Sequence, residues 1–167
     1  VSGTFGELRN NHFHAGIDFK TQRRTGLPVY ATADGYVSRI KVAIWGYGKV
    51  IYVTHPNGYT TVYAHLSRFG NSIEPYVKNI QYNKKSYETG NIYPKENEIM
   101  VKKGQIIAYS GRTGGFLAPH LHYEIRDTKT EKIINPMLFG LKIKDSIAPI
   151  INKIMAYPIE SSSRINR

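Results

Sequence analysis

Two histidines separated by one residue, His120 and His122, lie within Ala118-Pro-His-Leu-His-Tyr-Glu124, and about a hundred residues upstream stands His14-Ala-Gly-Ile-Asp18. Residues two apart on a β-strand point to the same face, with Cα atoms roughly 6.5–7 Å apart. Two imidazoles in that relation can serve one reaction centre, one gripping a metal ion and the other working beside it. His14 and Asp18 would complete a three-ligand set with an open position, the usual form of a catalytic zinc. The chain has no cysteine, so disulfides and thiolate zinc sites are excluded. Any metal must be held by imidazole and carboxylate. The leading reading is a zinc hydrolase.

The spacing of His14 and Asp18 constrains the backbone between them. Residues four apart are neighbours on a helix, but on a flat strand they are roughly 13 Å apart, too far to share one ion. Gly16 disfavours a helix, while Phe13, Ile17 and Phe19 suit a strand. A strand kinked at Gly16 is expected, the glycine letting the backbone pass close to the metal. His12 competes with His14 for the same assignment. His55, ahead of Pro56-Asn-Gly58, is expected to be a surface residue at a strand end rather than a ligand. Glu124 shares a strand face with His122, where it either braces an imidazole from behind or faces solvent. Asp34-Gly35 reads as a turn. The loop containing Gly111, Gly114 and Gly115 lacks the Lys-Ser/Thr of a phosphate-binding loop and is expected to line a groove with backbone.

These side chains must be carried by a mostly β framework. Pro28–Ala31, Gly35–Lys41, Val50–Thr54, Thr60–Ala64, Gln105–Ser110 and Leu121–Arg126 are rich in β-branched and aromatic residues. Turn signals separate them: Asp34-Gly35, Gly46-Tyr-Gly48 and Pro56-Asn-Gly58. Asn57-Gly58 suggests a type I′ hairpin turn. Residues 67–99 differ, being polar and long for a connection between strands, and are read as an insertion. Within them Ile73, Val77 and Ile80 fall at helical spacing, which predicts a short amphipathic helix. After Gly140 the chain reads as a connector, and Ile150–Tyr157 as the first strand of a further unit. The expected organisation is one domain over 1–140 and a connector with the start of another domain over 141–167.

A chain of 167 residues is long enough to bury a real core. It has no apolar stretch of membrane-spanning length and no signal peptide at its start, so an export signal is expected outside this fragment. The formal charge of +11 favours an anionic partner. The basic residues are scattered, with short pairs at Arg23-Arg24, Lys84-Lys85 and Lys102-Lys103, and no nucleic-acid-binding motif accompanies them. Specific nucleic-acid binding is not expected. An anionic cell-wall or envelope polymer fits the same charge.

The ordered motifs resemble the LytM-type, lysostaphin-like zinc metallopeptidases of the M23 family. The resemblance rests on Phe5-Gly-Glu-Leu-Arg9, His12-Phe-His-Ala-Gly-Ile-Asp18, Gly26-Leu-Pro-Val-Tyr-Ala31, Asp34-Gly-Tyr-Val37, Gly46-Tyr-Gly48 and Tyr63-Ala-His-Leu66. Val101-Lys-Lys-Gly-Gln-Ile-Ile-Ala108, Ser110-Gly-Arg-Thr-Gly114, Ala118–Arg126 and Asn135-Pro136 continue it in the family's order. Together they span residues 5–140 apart from the insertion. The resemblance implies antiparallel β-sheets framing an open groove, related to barrel-sandwich hybrids, with one inserted, partly helical segment. It implies one Zn²⁺ held by His14, Asp18 and His122, with His65 and His120 as the catalytic histidines. Which of the two does which job stays open.

The implied activity is zinc-dependent hydrolysis of peptide bonds in peptidoglycan stem or cross-link peptides. The alternative is a catalytically silent binding or regulatory module of the cell envelope. Members of that kind typically lose metal ligands, and all five residues are present here. The implied location is the cell envelope, in particular the periplasm, with a regulatory protein or domain as a further partner. The insertion and the Ile125-Arg-Asp-Thr-Lys-Thr-Glu131 strand and turn resemble Bacteroidetes-type members. Some relatives carry a tyrosine just ahead of the first metal-binding histidine; here no tyrosine precedes Tyr30, so zinc and histidine are expected to stabilise the oxyanion. The insertion follows His65 closely and is expected to shape the substrate cleft.

Overall fold

The computed structural model describes residues 1–9, 12–115 and 118–141, with 143, 150 and 154 as isolated positions. The connector and new strand expected over 141–167 otherwise lie outside the described residues. In chain order the elements are β1 (Ile17–Lys20), β2 (Pro28–Tyr30), β3 (Gly35–Val42), β4 (Lys49–Thr54), β5 (Tyr59–Ala64), β6 (Arg68–Phe69), α1 (Glu74–Lys84), β7 (Gly90–Ile92), β8 (Met100–Val101), β9 (Ile106–Tyr109), β10 (His120–Asp127) and β11 (Ile133–Ile134). A 3₁₀ turn, Pro136–Phe139, follows.

A large antiparallel sheet has the order β1-β10-β5-β4-β3-β7, with β11 beside β10 and β8 beside β3; a three-stranded sheet, β2-β9-β6, is separate. The mostly β expectation holds, and the strand segments read over residues 28–126 form strands within a residue or two. Alternation gives the large sheet two unlike faces. Val53, Tyr63, Tyr123 and Ile125 join Val29, Phe69, Ile107 and Ala108 of the small sheet in the main core. Val50, Tyr52, Val62 and Ala64 form a thin second cluster on the opposite face, with Tyr47 against it. Each fully buried aliphatic side chain stabilises the fold by roughly 1.5–3 kcal/mol.

The strand β3 cannot alternate simply, because its core residues Val37, Ile40 and Val42 include an odd step. The register absorbs it: Val37 pairs with Val53, but Arg39, not Ser38, pairs with Tyr52. This β-bulge re-aims the following side chains, so Ile40 is buried while Arg39 and Lys41 lie on the open face beside Tyr52.

The β4–β5 hairpin differs from the two-residue type I′ turn expected. His55 N donates to the Tyr59 carbonyl and Gly58 N to the His55 carbonyl, and only Gly58 of the loop has positive φ, +82°. It is a three-residue loop with left-handed glycine, as suits Pro56 ahead of Asn57. His55 is also not a surface residue: it is 5% exposed. Its Nδ1 donates to the Asp34 carbonyl and its Nε2 meets Thr61 Oγ1, both at 2.8 Å. Burial lowers its basicity, against the opposing effect of the Asp34 carbonyl.

The expected helix is α1, with Pro75 in its first turn and a left-handed cap at Lys85. Ile73 and Val77 are buried in the main core, and Ile80 packs against it. The segment then adds β7 to the β3 edge of the large sheet, at the opposite side from β1.

Candidate metal centre

The open face of the large sheet brings the predicted residues together at its β1 edge. Asp18 pairs with His122, and His122 with Ala64, so Asp18 and His122 stand side by side. His14 joins them from the turn before β1. Gly16 in that turn is needed for close approach: a Cβ there would fall 2.2 Å from the Tyr123 carbonyl oxygen. The glycine therefore admits the backbone of β10.

Three donor atoms converge. His14 Nε2 is 3.1 Å from Asp18 Oδ1 and 3.0 Å from His122 Nδ1, and His122 Nδ1 is 2.9 Å from Asp18 Oδ1. All three residues are buried. The outer atoms of each are already engaged. His14 Nδ1 donates to the Thr4 carbonyl at 2.8 Å, which fixes the tautomer and leaves Nε2 as an acceptor. His122 Nε2 meets Glu124 Oε1 at 2.8 Å, which leaves Nδ1 as an acceptor when the ring is neutral. Asp18 Oδ2 takes a hydrogen bond from Arg9 at 3.0 Å.

Three lone-pair atoms about 3 Å apart, buried together, repel one another unless a cation lies among them. Two imidazoles and a carboxylate are a donor set that zinc accepts, and the outer hydrogen bonds orient the rings as metal sites require. Among the described residues these three form the group whose ligand atoms could hold an ion. The charges agree. Burial alone would raise the Asp18 carboxyl, but the close contacts with His122 and His14 hold it far below the usual carboxylate range. Burial opposes a charged His122, but the contacts with Asp18 and Glu124 outweigh it and raise its basicity.

His65 and His120 flank the cluster. His65 Nδ1 donates to the Thr113 carbonyl at 3.0 Å and His120 Nδ1 to the Ala118 carbonyl at 2.9 Å. Both rings thus carry the acceptor at Nε2. Their centroids are 4.7 Å apart, and His120 Nε2 is 3.8 Å from Asp18 Oδ1. His65 is pushed down to about 3, chiefly by burial and then by the neighbouring His120 and His122. Its backbone sits at φ +59°, a strained position for a non-glycine residue of the kind found at functional sites. The Gly111–Gly115 loop, expected to line a groove, holds His65 through Thr113. His12, the competitor of His14, is exposed and borders the cleft without joining the three donors.

Four features escaped the sequence reading or were left open by it. Tyr47 stacks on His122 with centroids 5.4 Å apart and meets His65 edge-on at 6.3 Å. Its hydroxyl donates to Glu124, and burial raises its pKa above the ordinary phenol value. Arg9 braces Asp18. Glu124 is fully buried, which decides between its two readings: it supports His122, and Arg126 holds its other oxygen at 2.7 Å. The insertion lines no part of this cleft of about 540 Å³. Substituting Glu124→Gln removes the charge behind His122 and should weaken Zn²⁺ affinity roughly 10–100-fold, measured by competition with a chromophoric chelator; unchanged affinity would deny Glu124 that part.

Comparisons with known proteins agree with this geometry. Residues 12–91 match the sequence profile of peptidase family M23. The chain is 36% identical over 119 residues to the DD-carboxypeptidase/endopeptidase Mpg of Neisseria meningitidis serogroup B, covering 71% of this chain and 21% of that protein. It is 32% identical over 112 residues to the peptidoglycan DD-endopeptidase ShyB of Vibrio cholerae, covering 67% of this chain and 20% of ShyB. The chain thus spans about a fifth of the length of these relatives. The catalytic domain of the antimicrobial peptidase lysostaphin from Staphylococcus simulans superposes with a TM-score of 0.57 at 26% identity, over 82% of this chain and 86% of that domain.

Proposed function

The chain belongs to peptidase family M23, and on that footing we propose that it is a zinc-dependent endopeptidase cutting the stem or cross-link peptides of peptidoglycan in the periplasm. The observation that carries this reading is the convergence of His14 Nε2, Asp18 Oδ1 and His122 Nδ1, each backed by a hydrogen bond that leaves its inner atom an acceptor. The names of the Neisseria and Vibrio relatives support the substrate class. No helix among the described residues is long and apolar enough to cross a membrane.

In this reading His14, Asp18 and His122 are the zinc ligands, and His65 and His120 are catalytic. Zinc bound there supplies Lewis acidity, polarising the scissile carbonyl and lowering the pKa of water to about 7. His65 and His120 present Nε2 as acceptors beside the three donors. One accepts the proton of the attacking water as its oxygen adds to the carbonyl carbon. That proton then passes to the leaving amine as the C–N bond breaks. The other ring, 4.7 Å away, is within reach of the same oxygen atoms. Arg9 keeps Asp18 turned toward the other two ligands, and Tyr47 stacks on His122.

The test is digestion of purified peptidoglycan sacculi by zinc-loaded and by chelator-treated protein, with the muropeptides read by mass spectrometry. New uncrosslinked peptides are expected from the zinc-loaded sample alone. Stoichiometric zinc without any cleavage would overturn the enzyme assignment and leave a binding module.

A further inference from the structure

A second groove, of about 440 Å³, lies on the open face of the large sheet and shares Gly46 and Tyr47 with the metal-centre cleft. Arg39, Lys41 and Arg126 line it, with Trp45, Tyr52 and Asn91. The β3 bulge turns Arg39 and Lys41 to this face. Arg39 stacks on Tyr52 at 3.7 Å and Arg126 lies 5.6 Å from the same ring. Both guanidinium groups also reach Glu131, at 3.1 and 3.4 Å, so they are held in place rather than waving in solvent. Lys41 is exposed and makes no ion pair with any described residue. Two acids, Glu124 and Glu131, face three cations, and Glu124 is spent on His122 and Arg126. The groove therefore has positive charge to spare beside the reaction centre.

Trp45, the chain's one tryptophan, is 75% exposed. Its ring borders the same groove as the three cations. In the sheet order β10-β5-β4-β3, Arg39 and Lys41 on β3 stand three strands from His122, whereas Arg126 extends from β10 itself; three strands are roughly 14 Å at the usual spacing of about 4.8 Å. An extended peptide laid across the strands covers that distance in about four residues.

We propose that this groove is a carboxylate-recognising subsite, which deepens and rests on the peptidase reading above. Lys41, two residues along β3 from the fixed guanidinium group of Arg39, takes a carboxylate of the bound peptide about four residues from the scissile bond. Trp45 packs on the intervening chain. The substrate class is an anionic peptide, which the net charge of +11 also attracts at long range.

The experiment compares synthetic peptides that carry a carboxylate or a carboxamide about four residues from the cleaved bond, on either side. Wild-type protein should favour the carboxylate peptide about 10-fold in kcat/KM, the scale of one hydrogen bond between charged groups. Lys41→Glu should bring that ratio to one or below. Equal rates for both peptides with wild type, or a ratio unchanged by Lys41→Glu, overturns the subsite. The same peptides are titrated into His120→Ala protein with Trp45 fluorescence as the readout. Quenching selective for the carboxylate supports the subsite even if nothing is hydrolysed, whereas failure of wild type to cleave any peptide counts against the peptidase reading alone. Equal quenching by both peptides overturns the subsite.

Discussion

His122→Ala should lose zinc and hydrolysis together. The substitution removes one of three ligand atoms and leaves Asp18 and Glu124 as buried carboxylates with a cavity between them. An outer hydrogen-bond partner is worth roughly 10–100-fold in metal affinity, so loss of a ligand should exceed about 100-fold. Two readouts separate loss of metal from loss of fold. The first is zinc content after dialysis, one ion per wild-type chain against none. The second is thermal stability. Ligand at about 100 times its Kd stabilises a native protein by roughly 2.7 kcal/mol, so wild-type Tm should rise when zinc is added and the Tm of the variant should not. His12→Ala, at the exposed competitor position, should keep both zinc and activity. A His122→Ala protein that still bound one zinc would remove the ligand assignment.

Alanine at His120 or at His65 should have the opposite signature, with zinc retained and turnover lost. General acid–base groups contribute typically 10²–10⁴-fold, and that range is the expected fall in kcat. Neither ring belongs to the converging triplet, so zinc content and the zinc-dependent rise in Tm should match wild type. Both rings are held by a backbone carbonyl that fixes the proton on Nδ1, and a conservative His→Gln replacement should not restore the rate. Steady-state kinetics on a quenched-fluorescence peptide measures this. Activity within a factor of about three of wild type at either position would take that residue out of the chemistry, since a working acid–base group is worth at least ~100-fold.

What the sequence displayed and what it concealed follow one physical division. The ligands and the flanking histidines are side chains set in short motifs, and the strands that carry them alternate visibly, so both were legible. The atoms that tune them were not. Thr4, Thr113 and Ala118 act through carbonyl oxygens, which every residue possesses and no motif advertises. Tyr47 reads as the middle of a glycine turn; it reaches His122 only because β4, β5 and β10 lie in that register. Glu124 was undecided because alternation gives its face but not what covers that face. His55 misled because a histidine before a turn is ordinarily solvated, whereas this one is drawn inward by the Asp34 carbonyl. The hairpin erred for a local reason, since Pro56 ahead of Asn-Gly favours a longer loop.

The first nine residues supply none of the three ligands, yet five of them are stitched directly to the site. Ser2 N donates to the Asp18 carbonyl, Asp18 N to Gly3, His14 Nδ1 to Thr4, Gly6 N to His14 and Arg9 to Asp18. The working boundary of this unit is accordingly set by proton placement rather than by the core. Trimming the arm would leave both sheets and every ligand present, but would unlock the tautomer of His14 and the rotamer of Asp18. Affinity for the ion and anchorage of the arm are one thermodynamic quantity seen from two ends, so whatever grips the arm also sets how firmly the ion is held.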